Sequence, residues 1–401
     1  MIEQQQQQQR VYQILVTGIA KKFSLWSNGI VQNTIFFTQL VNHIPGFKAY
    51  LGYVDEVDVK DQSCFADLPD TLNLTPHSKL NNYEYDVIVQ MGYGIPHDQL
   101  LRYKEKYPKV KIVSYICGCP FIMDGEHIIY NKDEKDVKFY NSRKIMNHFD
   151  QIWIIPQNEN TSLEYAKEFF SCEKGTVVPF VWDPCVSTKY LQRQNLEEYQ
   201  LFRPIEKVAI MEPNLSLIKN SLIPILLCEN YVQLGGELKF IYMVCADKMG
   251  ANKTLMQVIK DTKLMKQKKI SVEHRHATLG FLNRFADAVI CFQMGNPLNY
   301  LYLDIAWWGF PVIHNAHLCP DVGYYYPDFG LQQGSQQLKK VIDEHPFDAT
   351  YKDRMRKTIS RYTYKNPQIL KDYHRLFMNV LNDSFEKFEY NWETNGIHSA
   401  R

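Results

Sequence analysis

The sequence predicts an α/β protein built from two mainly parallel sheets, each covered by helices. Short apolar runs of strand length alternate with amphipathic stretches of helical length along most of the 401 residues. The alternation stops once, around Trp182-Asp-Pro184, and then starts again. A chain of this length suits two domains of roughly 150–200 residues better than one hydrophobic core.

The first series contains six strand candidates with helix candidates between them. We predict strands over residues 12–17, 48–53, 86–90, 111–116, 151–155 and 176–180. We predict helices over residues 30–42, 97–106 and 158–170, among others. Strands that alternate with helices form parallel sheets, so this half is expected to be a Rossmann-like domain.

The second series repeats the alternation of strand and helix candidates after a polar stretch that has no strand pattern. Its strand candidates are residues 208–211, 238–244, 270–272, 288–292 and 311–314. Its helix candidates are residues 217–233, 253–262, 280–285 and 298–307, followed by 336–344 and a long helical tail over 367–388. Two Rossmann-like domains that face each other would bind ligands in the cleft between them.

These patterns divide the chain into five segments. We expect a disordered glutamine-rich leader at residues 1–10, a first Rossmann-like domain at 11–186, a linker at 187–204, a second Rossmann-like domain at 205–365 and a C-terminal helical segment at 366–401. Closure of the two domains about the linker would exclude water from the cleft.

Composition excludes several classes of function. The formal charge of +1 offers no field for a polyanion, so nucleic acid is not expected as a partner. Nine cysteines without a CxxC pair indicate reduced thiols, as in the cytoplasm. No run of about 18 apolar residues exists and the start does not resemble a signal peptide. We therefore expect a cytoplasmic protein without a transmembrane segment, and the glutamine-rich start is compatible with a virus-encoded protein that acts in the host cytoplasm.

The segment from Gly295 to Asn315 carries the most specific pattern. Gly295 and Pro297 form a tight turn after a predicted strand, a helix follows, Gly309 ends it, and Pro311 begins the next strand. A turn that leads into a helix N-terminus presents free N–H groups and a positive dipole end to an anionic ligand. The residues at this mouth include Asn296, Leu298 and Asn299.

Two further segments follow the first strand of each domain. In Met211-Glu-Pro-Asn-Leu-Ser-Leu-Ile-Lys-Asn220, Lys219 lies near a predicted helix start, where a point charge suits a phosphate. In the first domain, Ser27, Asn28 and Gly29 occupy a strand-to-helix turn that faces the cleft. This turn is not a G-x-G-x-x-G motif, which argues against NAD or FAD.

These three segments resemble those of the GT-B glycosyltransferases. In that family two carboxylates eight positions apart precede a Gly-x-Pro-Val, and in register with Gly309-Phe-Pro-Val312 they fall on Asn296 and Asp304. The resemblance implies that Asp304 binds the donor ribose and that Asn214 and Lys219 occupy the positions that grip the diphosphate. Asn214 and Asn296 depart from the arginine and the glutamate that are usual there.

The same residues, with Gly323-Tyr-Tyr-Tyr-Pro-Asp328, also resemble a little-characterised bacterial and viral group of GT-B-like proteins over most of residues 205–330. The resemblance implies a C-terminal helix that crosses back onto the first domain and an acceptor site there. A base that takes the proton of an acceptor hydroxyl would be Asp124, Glu126 or His97, all expected in loops after strands.

The function expected from the sequence is transfer of a sugar from a nucleotide sugar, UDP- or GDP-linked, to a glycan or glycoconjugate acceptor. No cofactor and no metal are expected, because the histidines at 274, 276, 314 and 317 lack the spacing of one helix face. The alternatives are a non-catalytic protein that binds nucleotide or glycan and a sugar-nucleotide epimerase on the same fold.

Overall fold

A computed structural model describes residues 10–19, 25, 29–56, 58, 66–130, 148–196, 204–250, 252–346 and 348–400. The described residues fall into two compact units. The first lies within Met1–Asp183, Tyr364–Asn391 and Asn395–Arg401, and the second within Pro184–Thr363 and Trp392–Thr394.

The first unit is built on a seven-stranded parallel sheet. Its strands are β1 (Tyr12–Ile19), β2 (Phe47–Tyr53), β3 (Leu74–Pro76), β4 (Val87–Gln90), β5 (Lys111–Ile116), β6 (Gln151–Ile154) and β7 (Gly175–Val177). They lie in the order β3-β2-β1-β4-β5-β6-β7, and each neighbouring pair is parallel. The helices before the crossing to the second unit are α1 (Gly29–His43), α2 (His97–Lys106), α3 (Pro120–Tyr130) and α4 (Glu159–Phe170).

The second unit repeats this plan with a six-stranded parallel sheet. Its strands are β8 (Lys207–Ile210), β9 (Phe240–Met243), β10 (Ile270–Val272), β11 (Ala288–Ile290), β12 (Val312–His314) and β13 (Tyr324–Tyr325), in the order β10-β9-β8-β11-β12-β13. Its helices are α5 (Cys185–Arg193), α6 (Leu222–Gln233), α7 (Asp247–Gly250), α8 (Lys253–Ile259), α9 (Lys263–Lys266), α10 (Thr278–Phe285), α11 (Tyr300–Trp307), α12 (Leu331–Glu344) and α13 (Thr350–Ile359). Both strand orders are Rossmann-like, as the sequence predicts.

The end of the chain returns to the first unit. Helix α14 (Pro367–Leu381) buries Tyr373 and Phe377 completely. The ring of Phe377 lies 5.2 Å from that of Trp153 and 6.2 Å from that of Phe37, and the hydroxyl of Tyr373 donates to the carbonyl of Pro179 at 2.7 Å. The fold class expected from the sequence, including a C-terminal helix that packs on the first domain, is confirmed.

Several elements differ from the sequence prediction. The predicted linker begins inside α5, whose Val186, Ser187 and Leu191 are buried. The segment that we predicted as a loop bearing Asp124 and Glu126 is helix α3, with Pro120 at its first position. The C-terminal helix ends at Leu381, and a two-stranded antiparallel hairpin follows, β14 (Phe388–Asn391) and β15 (Gly396–Ser399).

Membrane insertion as a helix has no support in the described ranges. None of the helices there combines the length and the apolar character needed to span a bilayer.

Candidate functional site

Each of the two sheets contains one point at which the strand order reverses. The strand order reverses between β1 and β4 in the first unit and between β8 and β11 in the second. The connections that leave such a pair of neighbouring strands run to opposite sides, and ligands bind in the resulting crevice beyond the carboxyl ends of the strands. In the second unit this crevice is bordered by residues 211–221, after β8, and residues 291–299, after β11.

Lys219 and Asn296, one from each border, meet at this crevice. With the Asn296 amide turned so that its nitrogen donates to the carbonyl of Leu298 at 2.9 Å, its oxygen accepts from the Lys219 ammonium at 3.3 Å. A backbone bond from Met294 N–H to the carbonyl of Ile218, 2.8 Å long, joins the same two segments. The structure thus brings together two residues that the sequence predicted for a single site.

Glu212 follows β8, in the same segment as Lys219, and is fully buried. Its Oε1 accepts from the N–H of Phe292 at 2.8 Å. Burial raises the pKa of Glu212 to about 7, while Lys219 and the Phe292 bond act in the opposite direction. Burial also lowers the pKa of Lys219, although that residue remains partly exposed as a whole. A carboxyl group that titrates near neutrality therefore controls the net charge beside the Lys219 ammonium.

Asn214 shapes the turn after β8. It adopts a left-handed conformation with φ of 52°, which asparagine tolerates better than most residues. Its side-chain nitrogen donates to the carbonyls of Glu212 and Cys245 at 2.8 and 3.3 Å, and its oxygen accepts from the N–H of Ser221 at 2.8 Å. These bonds hold the turn against the end of β9 and the start of α6. The diphosphate contact predicted for Asn214 would have to share an amide that already has three partners.

The segment after β11 is held by a second set of amide bonds. The side chain of Asn315 accepts from the N–H of Gln293 and donates to its carbonyl, both at 2.8 Å. The side-chain oxygen of Gln293 in turn accepts from the N–H of Asn296 at 2.7 Å. Gly295 has a φ of 72°, a region that glycine enters without strain. Position 296 is therefore fixed from both sides of the crevice.

The remaining predicted donor residues lie in or beside α11. Asn299 is the N-cap, and its side-chain oxygen accepts from the N–H of Leu301 at 3.1 Å. Pro297 is buried and its carbonyl accepts from Leu318 N–H at 3.3 Å, while the Leu298 side chain belongs to the core. Asp304 lies in the second turn of α11 and is only 9% exposed. Side chains on a helix lean toward its N-terminus, so Asp304 leans toward the Asn299 end.

In the first unit, the crevice loops come into close contact. A Cβ placed on Gly92, after β4, would lie 1.8 Å from the carbonyl oxygen of Gly18 in β1. The hydroxyl of Thr17 donates to the carbonyl of Tyr93 at 2.5 Å and accepts from Met91 N–H at 3.0 Å. Gly29 begins α1 and has open space around its Cα, and the predicted cleft residues Ser27 and Asn28 lie outside the described residues.

The three base candidates of the first unit have different surroundings. Asp124 is buried in α3, where the hydroxyl of Tyr165 donates to its Oδ2 at 2.6 Å. Glu126 lies in the same helix and is 8% exposed. His97 begins α2, and its ring stacks on His148 with centroids 4.7 Å apart. The buried Nδ1 of His97 has no hydrogen-bond partner in the described part of the chain.

A cavity of about 460 Å³ lies elsewhere in the second unit. Its lining includes Tyr324, Lys340, Tyr351 and Arg354, from β13, α12 and α13. It shares no residue with the segments that border the β8–β11 crevice, so its volume carries no argument about the donor site.

Glu212 is the residue of this site that the sequence reasoning missed. The signal was present, because an acidic residue directly follows the apolar strand 208–211 at the position where parallel strands present ligands. What the sequence alone did not reveal is complete burial, which gives the carboxyl its shifted pKa.

Comparisons with solved structures agree on the fold. The N-terminal domain of trehalose-6-phosphate phosphatase from Candida albicans matches with a TM-score of 0.57 and 12% identity, over 96% of this chain and 99% of that one. A pneumococcal O-GlcNAc transferase in complex with UDP and GlcNAc matches with a TM-score of 0.57 and 8% identity, over 92% and 99%. An α-glucosyltransferase in complex with UDP-glucose and DNA containing an abasic site matches with a TM-score of 0.56 and 9% identity, over 92% and 98%. At such identities the likeness establishes the fold, which is that of the GT-B glycosyltransferases.

The sequence comparisons give the family. No curated protein matches the chain significantly. One family model matches residues 14–377, which is most of the chain. The chain therefore belongs to the family described as "Protein of unknown function (DUF2827)".

Proposed function

We propose that this chain is a glycosyltransferase whose nucleotide-sugar donor binds to the second unit. The observation that carries the proposal is the meeting of Lys219 and Asn296 at the β8–β11 crevice. A cation and an amide at the switch point of a parallel sheet suit a diphosphate and a neighbouring polyhydroxyl group. The complexes of the fold relatives with UDP or UDP-glucose support the same class of ligand.

Each residue of the site would have its own task. Lys219 would neutralise charge on the donor diphosphate and on the leaving group, with the N–H groups at the start of α11 as further donors. Asn296 would orient Lys219 and bind a hydroxyl of the transferred sugar. Asp304, on α11, would accept from the ribose hydroxyls. The proposed donor is UDP- or GDP-linked, and the task that a metal performs in other transferases falls here to positive groups of the chain.

The first unit would supply the acceptor site and the base. His97, Asp124 and Glu126 remain the candidates, and the acceptor class is a glycan or glycoconjugate. His97 has a buried ring nitrogen, Nδ1, without a hydrogen-bond partner among the described residues, and histidine is the commonest general base. Asp124 Oδ2 already accepts from the hydroxyl of Tyr165.

The activity is tested by nucleotide release from a panel of UDP- and GDP-sugars, with and without glycan acceptors. We expect one donor to release nucleotide faster when an acceptor is present. His97→Ala and Asp124→Asn should show whether either residue is the general base, because loss of a general base costs about 10²–10⁴-fold in rate. A panel in which no donor is turned over with any acceptor would contradict the proposed activity.

A non-catalytic protein that binds the same donor is the second candidate. It is favoured by Asn296, where the GT-B family usually has a glutamate, and by the internal bonds that occupy Asn214. Saturable binding of a nucleoside diphosphate without turnover of any donor would select this candidate over the enzyme.

A further inference from the structure

A cluster of metal-binding side chains lies outside the donor site, directly after β10. Glu273, His274 and His276 follow this strand, and one ligand atom from each lies within 4.8 Å of the other two. The imidazole rings of His274 and His276 have centroids 4.1 Å apart, at 42° to one another. Two imidazoles and a carboxylate form a donor set that binds divalent transition metals in preference to Mg²⁺ or Ca²⁺.

His276 is positioned as a ligand by its surroundings. Its ring packs on that of Phe281 in α10, with centroids 5.0 Å apart. Its Nε2 is buried and has no hydrogen-bond partner in the part of the chain that the structure describes. A buried ring nitrogen without a partner loses free energy relative to water, and a metal ion would recover it.

The backbone of the cluster is fixed, whereas one ligand can move. The N–H of Ala246 donates to the carbonyl of Glu273 at 3.0 Å, and that of Cys245 donates to the carbonyl of His274 at 3.3 Å. His274 itself is exposed. Ligands of a tetrahedral zinc ion lie roughly 3.3 Å apart, as follows from Zn–N bonds of about 2.0 Å. The exposed His274 imidazole would rotate to bring the ligand atoms to this spacing.

The other two histidines considered as metal ligands in the sequence, His314 and His317, are not part of the cluster. His314 is buried, with Nε2 against the carbonyl of Val322 and Nδ1 accepting from Ala316 N–H. His317 is exposed in the same unit. The structure therefore separates His274 and His276 from the set for which no metal was expected.

We propose that Glu273, His274 and His276 bind one divalent transition-metal ion, for which Zn²⁺ is the probe. The cluster shares no residue with the proposed donor site. It is joined to the donor turn through Cys245, whose carbonyl accepts from Asn214 and whose N–H donates to His274. A bound ion would fix the segment after β10, which the backbone bonds of Cys245 and Ala246 join to the end of β9.

The test is calorimetric titration of the full chain, without a polyhistidine tag, with ZnCl₂. We expect one saturable site. Loss of one ligand, in His274→Ala or His276→Ala, should weaken Zn²⁺ binding by about tenfold or more. Even the loss of a residue that only supports a ligand costs about 10–100-fold in metal affinity. His317→Ala is the matched control and should bind Zn²⁺ as the unaltered chain does.

Several results would overturn the site. Absence of saturable binding would do so, as would equal affinity in His274→Ala and the unaltered chain. Circular dichroism without metal establishes that each variant is folded. If His276→Ala fails to fold, the exposed His274→Ala and the conservative Glu273→Gln decide the question, with the same expected weakening. Because the readout is metal binding, its failure leaves the proposed glycosyl transfer untouched.

Discussion

At the scale of single residues, we expect Glu212 to determine how the proposed donor site responds to pH. Its pKa is raised from 4.5 to about 7, chiefly by burial. Below about 7 the carboxyl is neutral, and the Lys219 charge faces a bound diphosphate without competition. As pH rises through about 7 the carboxylate forms, competes for Lys219 and repels the phosphates. We expect the affinity for a nucleoside diphosphate to fall by about tenfold across this range. That fall corresponds to a rise of about one unit in the pKa of Glu212 when the diphosphate binds.

Glu212→Gln isolates this effect, because glutamine keeps the shape and cannot ionise. Its affinity should stay near the low-pH level, and titration of the ligand's own phosphate cancels between the two proteins. The free energy of unfolding should change with pH in the same direction as the affinity. A carboxyl whose pKa is raised in the folded state stabilises the fold fully below about 4.5, and that stabilisation is lost as pH rises through about 7. Identical pH profiles of affinity for both proteins, measured by calorimetry, would contradict the role of Glu212.

At the scale of elements, the start of α11 is held by a cap that also borders the proposed donor site. Asn299→Ala removes the side-chain acceptor of Leu301 N–H and should lower the free energy of unfolding by about 1 kcal/mol. Asn252→Ala removes the equivalent cap of α8, where the side chain accepts from Leu255 N–H, and should cost about the same. Only Asn299→Ala should also weaken nucleotide binding, measured by calorimetry. Equal nucleotide affinity in both variants would separate the start of α11 from the donor site.

The elements that the sequence predicted are those with a strong local signal. β5, α2 and β10 have the predicted bounds, because apolar runs and helix periodicity end there at clear breaks. β3 and β13 were missed since they contain three and two residues and exist only through pairing with a neighbouring strand. Helix α6 begins at Leu222 instead of residue 217, because Asn214 and the turn that it holds delay the helix.

The candidate site was predictable in part for a related reason. Strand ends that carry Lys219 and Asn296 can be read from the order of apolar runs, and parallel topology brings adjacent strand ends together. Burial of Glu212 and the internal bonds of Asn214 depend on contacts with β9 and β11, which local patterns do not contain. The Glu273–His274–His276 cluster was not predicted either, because only histidines spaced along one helix face were expected to bind a metal and these residues follow a strand.

At the scale of the whole molecule, the C-terminal helix is part of the core of the first unit. Phe377→Ala leaves a cavity beside Trp153 and Phe37 and should lower the free energy of unfolding by about 3–5 kcal/mol. Hydrogen exchange should rise in β6 and α1, which carry those two rings. Phe385→Ala is the control, since Phe385 is exposed and its loss should change stability by less than about 0.5 kcal/mol. Unchanged exchange in β6 and α1 of the Phe377→Ala protein would contradict the packing of α14 on the first unit.

The central claim is that Lys219 binds the diphosphate of a nucleotide sugar in the second unit, and calorimetric titration with UDP and with GDP tests it most directly. We expect saturable binding of one of the two. Lys219→Ala should weaken that binding by about tenfold or more, because a hydrogen bond to a charged group contributes about 1.5–3 kcal/mol. Lys260→Ala, at an exposed lysine of the same unit, should bind as the unaltered chain does. Absence of binding to either nucleotide, or equal affinity in the Lys219→Ala protein, would contradict the account.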